Sequence, residues 1–307
     1  MVLAFASHDL SERWAVRCGS TDYDAAYGLT VVPGGLVVVG YASGVSGCGG
    51  LDSPSQGSTD AWAWALWSNG TTRWGSTWGG PGEDVAYAAA FAEAQEMEAI
   101  YVVGEVDGDA MFGTKFVQAR RMAAFIIQVS PDKGDVVWAK SLPGATSARA
   151  VTASSYLHVA GYTDHYSRSP QAIVARLCLR SGAIFELHST GTAKATYATA
   201  VLETPSGQAS VVGYTRNLVE GTTGFESFLN QSTEFTLCRG AFITGAHLLE
   251  TCDVNGTLWW NAASQGVVAG HLLVDRTQKG VIATVAWGKE LCMPDWHGHP
   301  LQLEEDM

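Results

Sequence analysis

A β-rich run ending in a small residue and glycine occurs five times in this chain, and that recurrence restricts the fold more than any other feature. The copies are Leu36-Val37-Val38-Val39-Gly40-Tyr41, Ile100-Tyr101-Val102-Val103-Gly104-Glu105, Leu157-His158-Val159-Ala160-Gly161-Tyr162-Thr163, Ala209-Ser210-Val211-Val212-Gly213-Tyr214-Thr215 and Ala283-Thr284-Val285-Ala286-Trp287-Gly288. Their glycines stand at 40, 104, 161, 213 and 288, with gaps of 64, 57, 52 and 75 residues and a mean of 62. Five units of that length need about 310 residues, and the chain has 307.

Two further pieces travel with this run. Before it comes a strand of small residues, clearest in Gly79-Gly80-Pro81-Gly82-Glu83-Asp84-Val85-Ala86-Tyr87-Ala88-Ala89-Ala90-Phe91 and repeated from Gly19 to Val31 and from Ala195 to Val201. Small residues at every second position suit a crowded inner strand. After it comes an apolar strand, a turn and a tryptophan: Ala61 to Leu66, Asn69-Gly70 and Trp74; Ala123 to Ile127, Lys133-Gly134 and Trp138; Ala241 to Ile243, Asn255-Gly256 and Trp260. Asn-Gly predicts a two-residue hairpin turn. In the third unit Gly182 is followed by Phe185 instead of tryptophan.

Each unit therefore carries four strands, a to d from inner to outer. One such sheet cannot bury both faces, whereas sheets stacked radially bury each other. The expected fold is all-β: a single five-bladed β-propeller of four-stranded antiparallel blades over residues 1–307. The blade units are about 14–74, 75–138, 139–185, 186–260 and 261–290 plus 1–13, with 291–307 as a C-terminal tail. The fifth unit offers strands a and b but lacks c and d. Val2 to Ala6 and Arg13 to Val16 supply them, so a blade made from both chain ends closes the ring and removes open edges. The alternative is an open piece of a longer array.

These pieces together resemble the bacterial β-propeller repeat family known as SBBP. The family pattern runs Trp, Gly-Gly-x-Gly-x-Asp, Ala-x-Ala-Val, Val-Ala-Gly-x-Thr, Asp-Ala-Phe-Val-Ala and Gly-x-x-x-Trp. Unit two follows it from Trp74 through Gly79 to Asp84 and on to Gly134 and Trp138, and unit one has Asp60-Ala61-Trp62-Ala63 at the Asp-Ala-Phe-Val place. Thr146, Thr196 and Val267 depart from it at the turn aspartate. The resemblance implies a propeller and a surface or adhesion setting, and assigns no activity.

Composition narrows the partners. A formal net charge of −12 repels phosphate backbones and anionic membranes, which argues against nucleic acid. The six cysteines form no CxxC, so zinc ribbons are not expected. No stretch reaches the roughly 18 apolar residues of a membrane span, and the N-terminus lacks the basic start and apolar run of a signal peptide. The chain reads as soluble, its compartment open.

The long b–c connections, about Ser43 to Thr59, Val106 to Arg121, Asp164 to Pro170 and Arg216 to Arg239, gather on one face, where binding function usually resides. Asp24, Asp84, Tyr41, Tyr162, Tyr214, Arg120 and Arg121 are the candidate ligand or partner residues there. The aspartates can equally accept backbone hydrogen bonds in the d–a turn, and the tyrosines can pack against the next blade. Trp62 and Trp64 fall on one side of their strand, expected between blades. His297 and His299 have chelate spacing, yet an acidic tail explains them without metal. No nucleophile elbow, phosphate loop, His-Glu-x-x-His or dinucleotide fingerprint is present. The expected function is a non-catalytic scaffold that binds other proteins, with no cofactor. The alternatives are a carbohydrate-binding propeller and an axial hydrolase or lyase, for which Asp24 and Asp84 sit at equivalent places instead of the contrasting ones an acid–base pair needs.

Overall fold

The computed structural model describes residues 2–5, 11–20, 22–43, 57–94, 97–163, 170–189, 196–203, 209–215, 235–238, 241–244, 268–275 and 280–286. The chain is all-β, with antiparallel four-stranded sheets and, among the described residues, no helix. It divides into two compact units, Met1–Ser155 with Leu179–Gly182, and Tyr156–Cys178 with Ala183–Met307.

The first unit opens with a two-stranded hairpin, β1 (Val2–Phe5) and β2 (Glu12–Val16). The first sheet follows as β3 (Asp24–Val32), β4 (Gly35–Ala42), β5 (Asp60–Trp67) and β6 (Thr72–Trp78), hydrogen-bonded in that order. The second sheet repeats it with β7 (Val85–Ala94), β8 (Met97–Asp107), β11 (Met122–Val129) and β12 (Val136–Ser141). Between β8 and β11 a small hairpin stands out, β9 (Ala110–Phe112) and β10 (Lys115–Val117). β13 (Ser147–Ala153) is the unit's last strand.

Strand β5 shows why sheets of this sequence stack. Ala61, Ala63 and Ala65 join one apolar cluster with Trp74, Ile100, Phe112 and Phe125. The alternating Trp62, Trp64 and Leu66 join a second cluster with Val2, Trp14 and Val16 of the N-terminal hairpin. Period-two alternation thus divides one strand between two cores. Cys18, beside that second cluster, is disulfide-bonded.

Three tryptophans repeat one contact. The Trp14 indole N–H donates to the Ser68 carbonyl at 2.8 Å, that of Trp74 to Pro131 at 2.7 Å and that of Trp138 to Arg180 at 3.1 Å. Each ring lies against a turn glycine, Gly70, Gly134 or Gly182, whose φ is +83°, +76° or +62°. A Cβ on these glycines would stand 2.8, 2.6 and 2.8 Å from the ring. The glycine is demanded twice, by its backbone and by the indole. Asn69-Gly70 is not the two-residue turn its sequence suggests. Gly70 N–H donates to the Trp67 carbonyl and Trp67 N–H to that of Thr71, so Gly70 closes a longer turn in which it supplies the left-handed residue.

The recurrent glycine of the b strands has a different cause. In the first sheet Ala26 pairs with Gly40 and Gly28 with Val39, leaving Tyr27 as a bulge; Tyr87 is the bulge between Ala86 and Ala88. There the inner strand presses so close that a Cβ on Gly40 or Gly104 would lie 1.8 Å from the Ala25 carbonyl oxygen or 1.9 Å from that of Val85.

In the second unit β14 (Leu157–Thr163), β15 (Gln171–Leu177) and β16 (Ile184–Ser189) pair in sequence order. A four-stranded sheet has the order β17 (Thr196–Glu203), β18 (Ala209–Thr215), β20 (Ala241–Thr244), β19 (Phe235–Cys238), and β21 (Val268–Asp275) pairs with β22 (Gly280–Ala286) as a separate sheet of two. Three further expectations are corrected here and in the first unit. The Val106 to Arg121 connection is not irregular, because β9 and β10 occupy it and bury Ala110, Phe112 and Val117. The outer place beside Ala241 to Thr244 is taken by β19, from within the Arg216 to Arg239 connection, since its hairpin partner is the nearest strand in the chain; Trp260 lies outside the described residues. The register of β21 on β22 sets Val285, three residues before Gly288, where Gly40 and Gly104 stand in their sheets.

Gly134→Ala should lower the unfolding free energy by about 2–4 kcal/mol, from left-handed backbone and a ring collision together. Gly113→Ala is the control: its φ is +59° but the nearest atom to the new Cβ is 3.9 Å away. It should lose about 1 kcal/mol. Urea unfolding of both variants measures the difference.

Candidate functional site

The bulges aim side chains that the sequence pattern alone does not single out. Tyr27 and Tyr87 are bulge residues, and Arg149 holds the matching place in β13, Ser147-Ala148-Arg149-Ala150 against Val85-Ala86-Tyr87-Ala88. They form a row in the first unit. The Tyr41 and Tyr27 rings are 5.9 Å apart, Tyr27 and Tyr87 5.2 Å, and the Arg149 guanidinium lies 3.6 Å above Tyr87. Glu105, which follows the b-strand glycine, ties the row together: it accepts the Tyr87 hydroxyl at 2.6 Å and pairs with Arg149 at 3.4 Å. Arg149 and Glu105 compensate each other's charge, and cation–π contact adds about 1 kcal/mol. Within the row Tyr27 is the most exposed ring, at 48%.

Of the candidates read from the sequence, Tyr41 joins this row. Tyr162 belongs to the second unit, where its ring meets Tyr197 at 5.0 Å. The ring of Tyr214 and the residues His297 and His299 lie outside what is described. Among the described residues no group of three or more His, Cys, Asp or Glu is placed to hold a metal ion. Tyr27, Tyr87, Glu105 and Arg149 were missed by sequence reasoning. The available signal was a large residue breaking an alanine-rich strand at the same place in three units.

Asp24 and Asp84 are acceptors inside the d–a turns. Asp24 takes the Ser20 N–H and hydroxyl. Asp84, fully buried, takes the Gly80 N–H at 2.6 Å and the Asp107 N–H at 3.1 Å. Gly79 leaves room for it, since a Cβ there would lie 2.5 Å from its oxygen. Thr196, standing where the aspartate pattern lapses, accepts the Ala172 N–H through its hydroxyl at 2.8 Å.

The β9–β10 hairpin presents a second feature. Its inward residues are buried, and Phe112 meets Phe125 at 4.7 Å. The Gly79 and Met111 backbones exchange two hydrogen bonds, and Asp109 accepts the Ala119 N–H, which fix the hairpin to the d–a turn. On its outer side Met111 and Phe116 are cross-strand partners, 38% and 57% exposed, and exposed Arg120, Arg121 and Met122 follow in the chain. A rigid mount thus holds an apolar pair in water, with basic residues beside it.

Burial, the largest influence, pushes the Asp84 pKa from 3.8 up to about 6, with the Asp60 and Asp107 carboxylates adding to it and the two backbone N–H donors opposing it. A raised folded pKa means that the folded chain takes up a proton between about pH 6 and 4 that the unfolded chain has not yet bound. Ionised Asp84 therefore destabilises the fold above pH 6, and stability returns as the pH falls toward 4. Asp84→Asn should remove that segment of the slope from a plot of urea midpoint against pH.

No protein-family model matches the sequence, and no curated protein is significantly similar to it.

Proposed function

We propose that the chain closes into a five-bladed β-propeller and serves as a non-catalytic scaffold that binds other proteins through its loop-rich face. The observation that carries the closure is the half-covered face of the first sheet. The N-terminal hairpin covers Trp62, Trp64 and Leu66 on the third strand, β5. On the inner strand β3, Leu29 and Val31 are 60% and 72% exposed. Their counterparts on β7, Ala89 and Phe91, pack into the core shared with the first sheet. An a–b hairpin is what the uncovered half lacks, and β21–β22, whose inner strand also carries a bulge, has that form. The N-terminal hairpin has the c–d form: Trp14 docks on Gly70 as Trp74 docks on Gly134. SBBP-type repeats would give this arrangement. The Cys18 disulfide supports residence in an oxidising compartment.

For the scaffold role, the support is the anchored, outward-facing Met111 and Phe116 pair, since aromatic and methionine side chains held clear of the core are typical interface anchors. Carbohydrate binding is the second reading, favoured by the half-exposed Tyr27 ring within a charge-compensated tyrosine row.

Val31→Cys paired with single cysteines through 268–275 should yield an intramolecular disulfide under mild oxidation; failure of every pair sinks the closure. A photoreactive benzoylphenylalanine at Phe116 should capture a protein partner from native extract, and one at Glu93 should not. Equal capture from both positions refutes the use of this face. Glycan-array binding that Tyr27→Ala abolishes would replace the scaffold reading with the carbohydrate one.

A further inference from the structure

In the second unit a histidine and a carboxylate are buried side by side. His158 in β14 and Glu203 at the end of β17 have 1% and 4% of their side chains exposed, with Nδ1 and Oε2 3.5 Å apart. Glu203 Oε2 accepts the Tyr156 N–H at 3.4 Å, and His158 Nδ1 makes no hydrogen bond. The groups facing the pair come from the adjoining strands. His158 is register partner of Arg176 on β15, and Arg176 of Glu186 on β16. Arg176 is paired with Glu186 and stands 4.8 Å above the Tyr156 ring, and His188 is 3.9 Å from Glu186. With His158 neutral, two carboxylates face one guanidinium. A proton on His158 would balance the row, yet it would place a second charge beside Glu203 where water does not reach.

We propose that the His158–Glu203 pair makes the packing of β14 on β17 acid-labile, a pH-sensitive joint within the second unit. Its physical basis is the contest between burial and a neighbouring carboxylate. Burial holds the imidazole below its ordinary 6.5, Arg176 acts in the same direction, and Glu203 and Glu186 oppose them. The unfolded chain therefore binds the proton first as the pH drops. The stabilisation is complete above about pH 6.5 and is lost below it. This is opposite in sign to the effect of Asp84 in the first unit, so variants separate the two.

Thermal unfolding between pH 8 and 5 of wild type, His158→Gln and Glu203→Gln, with NMR of the imidazole, tests the joint. Below pH 6.5 wild type should lose about 3 °C of Tm per pH unit more than His158→Gln. The His158 titration should lie below 6.5 and move lower still in Glu203→Gln. Hydrogen exchange, corrected for its intrinsic pH dependence, should quicken in β14 and β17 at pH 5 and should not quicken in β7 and β8. Equal slopes in wild type and His158→Gln, or a titration at or above 6.5, overturn the proposal. Should His158→Gln fail to fold, the titrations of wild type and Glu203→Gln decide alone.

Discussion

An indole ring filling the space that a glycine leaves vacant is the contact on which the described architecture rests. At Trp14, Trp74 and Trp138 it does three things together. It buries a large apolar surface, satisfies the indole N–H on a turn carbonyl, and fixes the spacing between one outer strand and the next turn. Because the glycine is also left-handed, neither partner has a substitute of similar shape. The sheets are not merely stacked by hydrophobicity; each is indexed to its neighbour.

The same logic explains what the sequence reveals and what it hides. Strand order in the first two sheets is legible because its markers, Gly40 with Trp74 and Gly104 with Trp138, stand at matching places in both. The bulge at Tyr27 and Tyr87 is marked only by a large residue within a strand of small ones, a weak signature, since a bulge is an offset in pairing that any side chain can occupy. It becomes visible through the glycine opposite. The β9–β10 hairpin escapes notice because three-residue strands carry too little alternation to stand out from a loop. The three-residue offset in the fifth unit has a similar origin: Val285 stands where the first two sheets have glycine, and the next glycine along the chain is Gly288. Asp24 and Asp84 were legible as turn residues, and their chemistry is that of acceptors for backbone N–H groups.

The candidate site follows from that hidden offset. Regular alternation would leave the inner strands lined by alanine. Inserting one residue turns Tyr27 and Tyr87 out of the pleat in the first two sheets, and they meet each other and Arg149 as a row instead of packing into separate cores. Glu105 then locks the row without net charge.

The indole contacts join residues 54, 57 and 42 positions apart. Such separations are short for an all-β chain, and each lies within one repeat length of the last. A nascent polypeptide emerging from its N-terminus can seat Trp14 once the first turn has left the ribosome, then add each wedge onto a surface already in place.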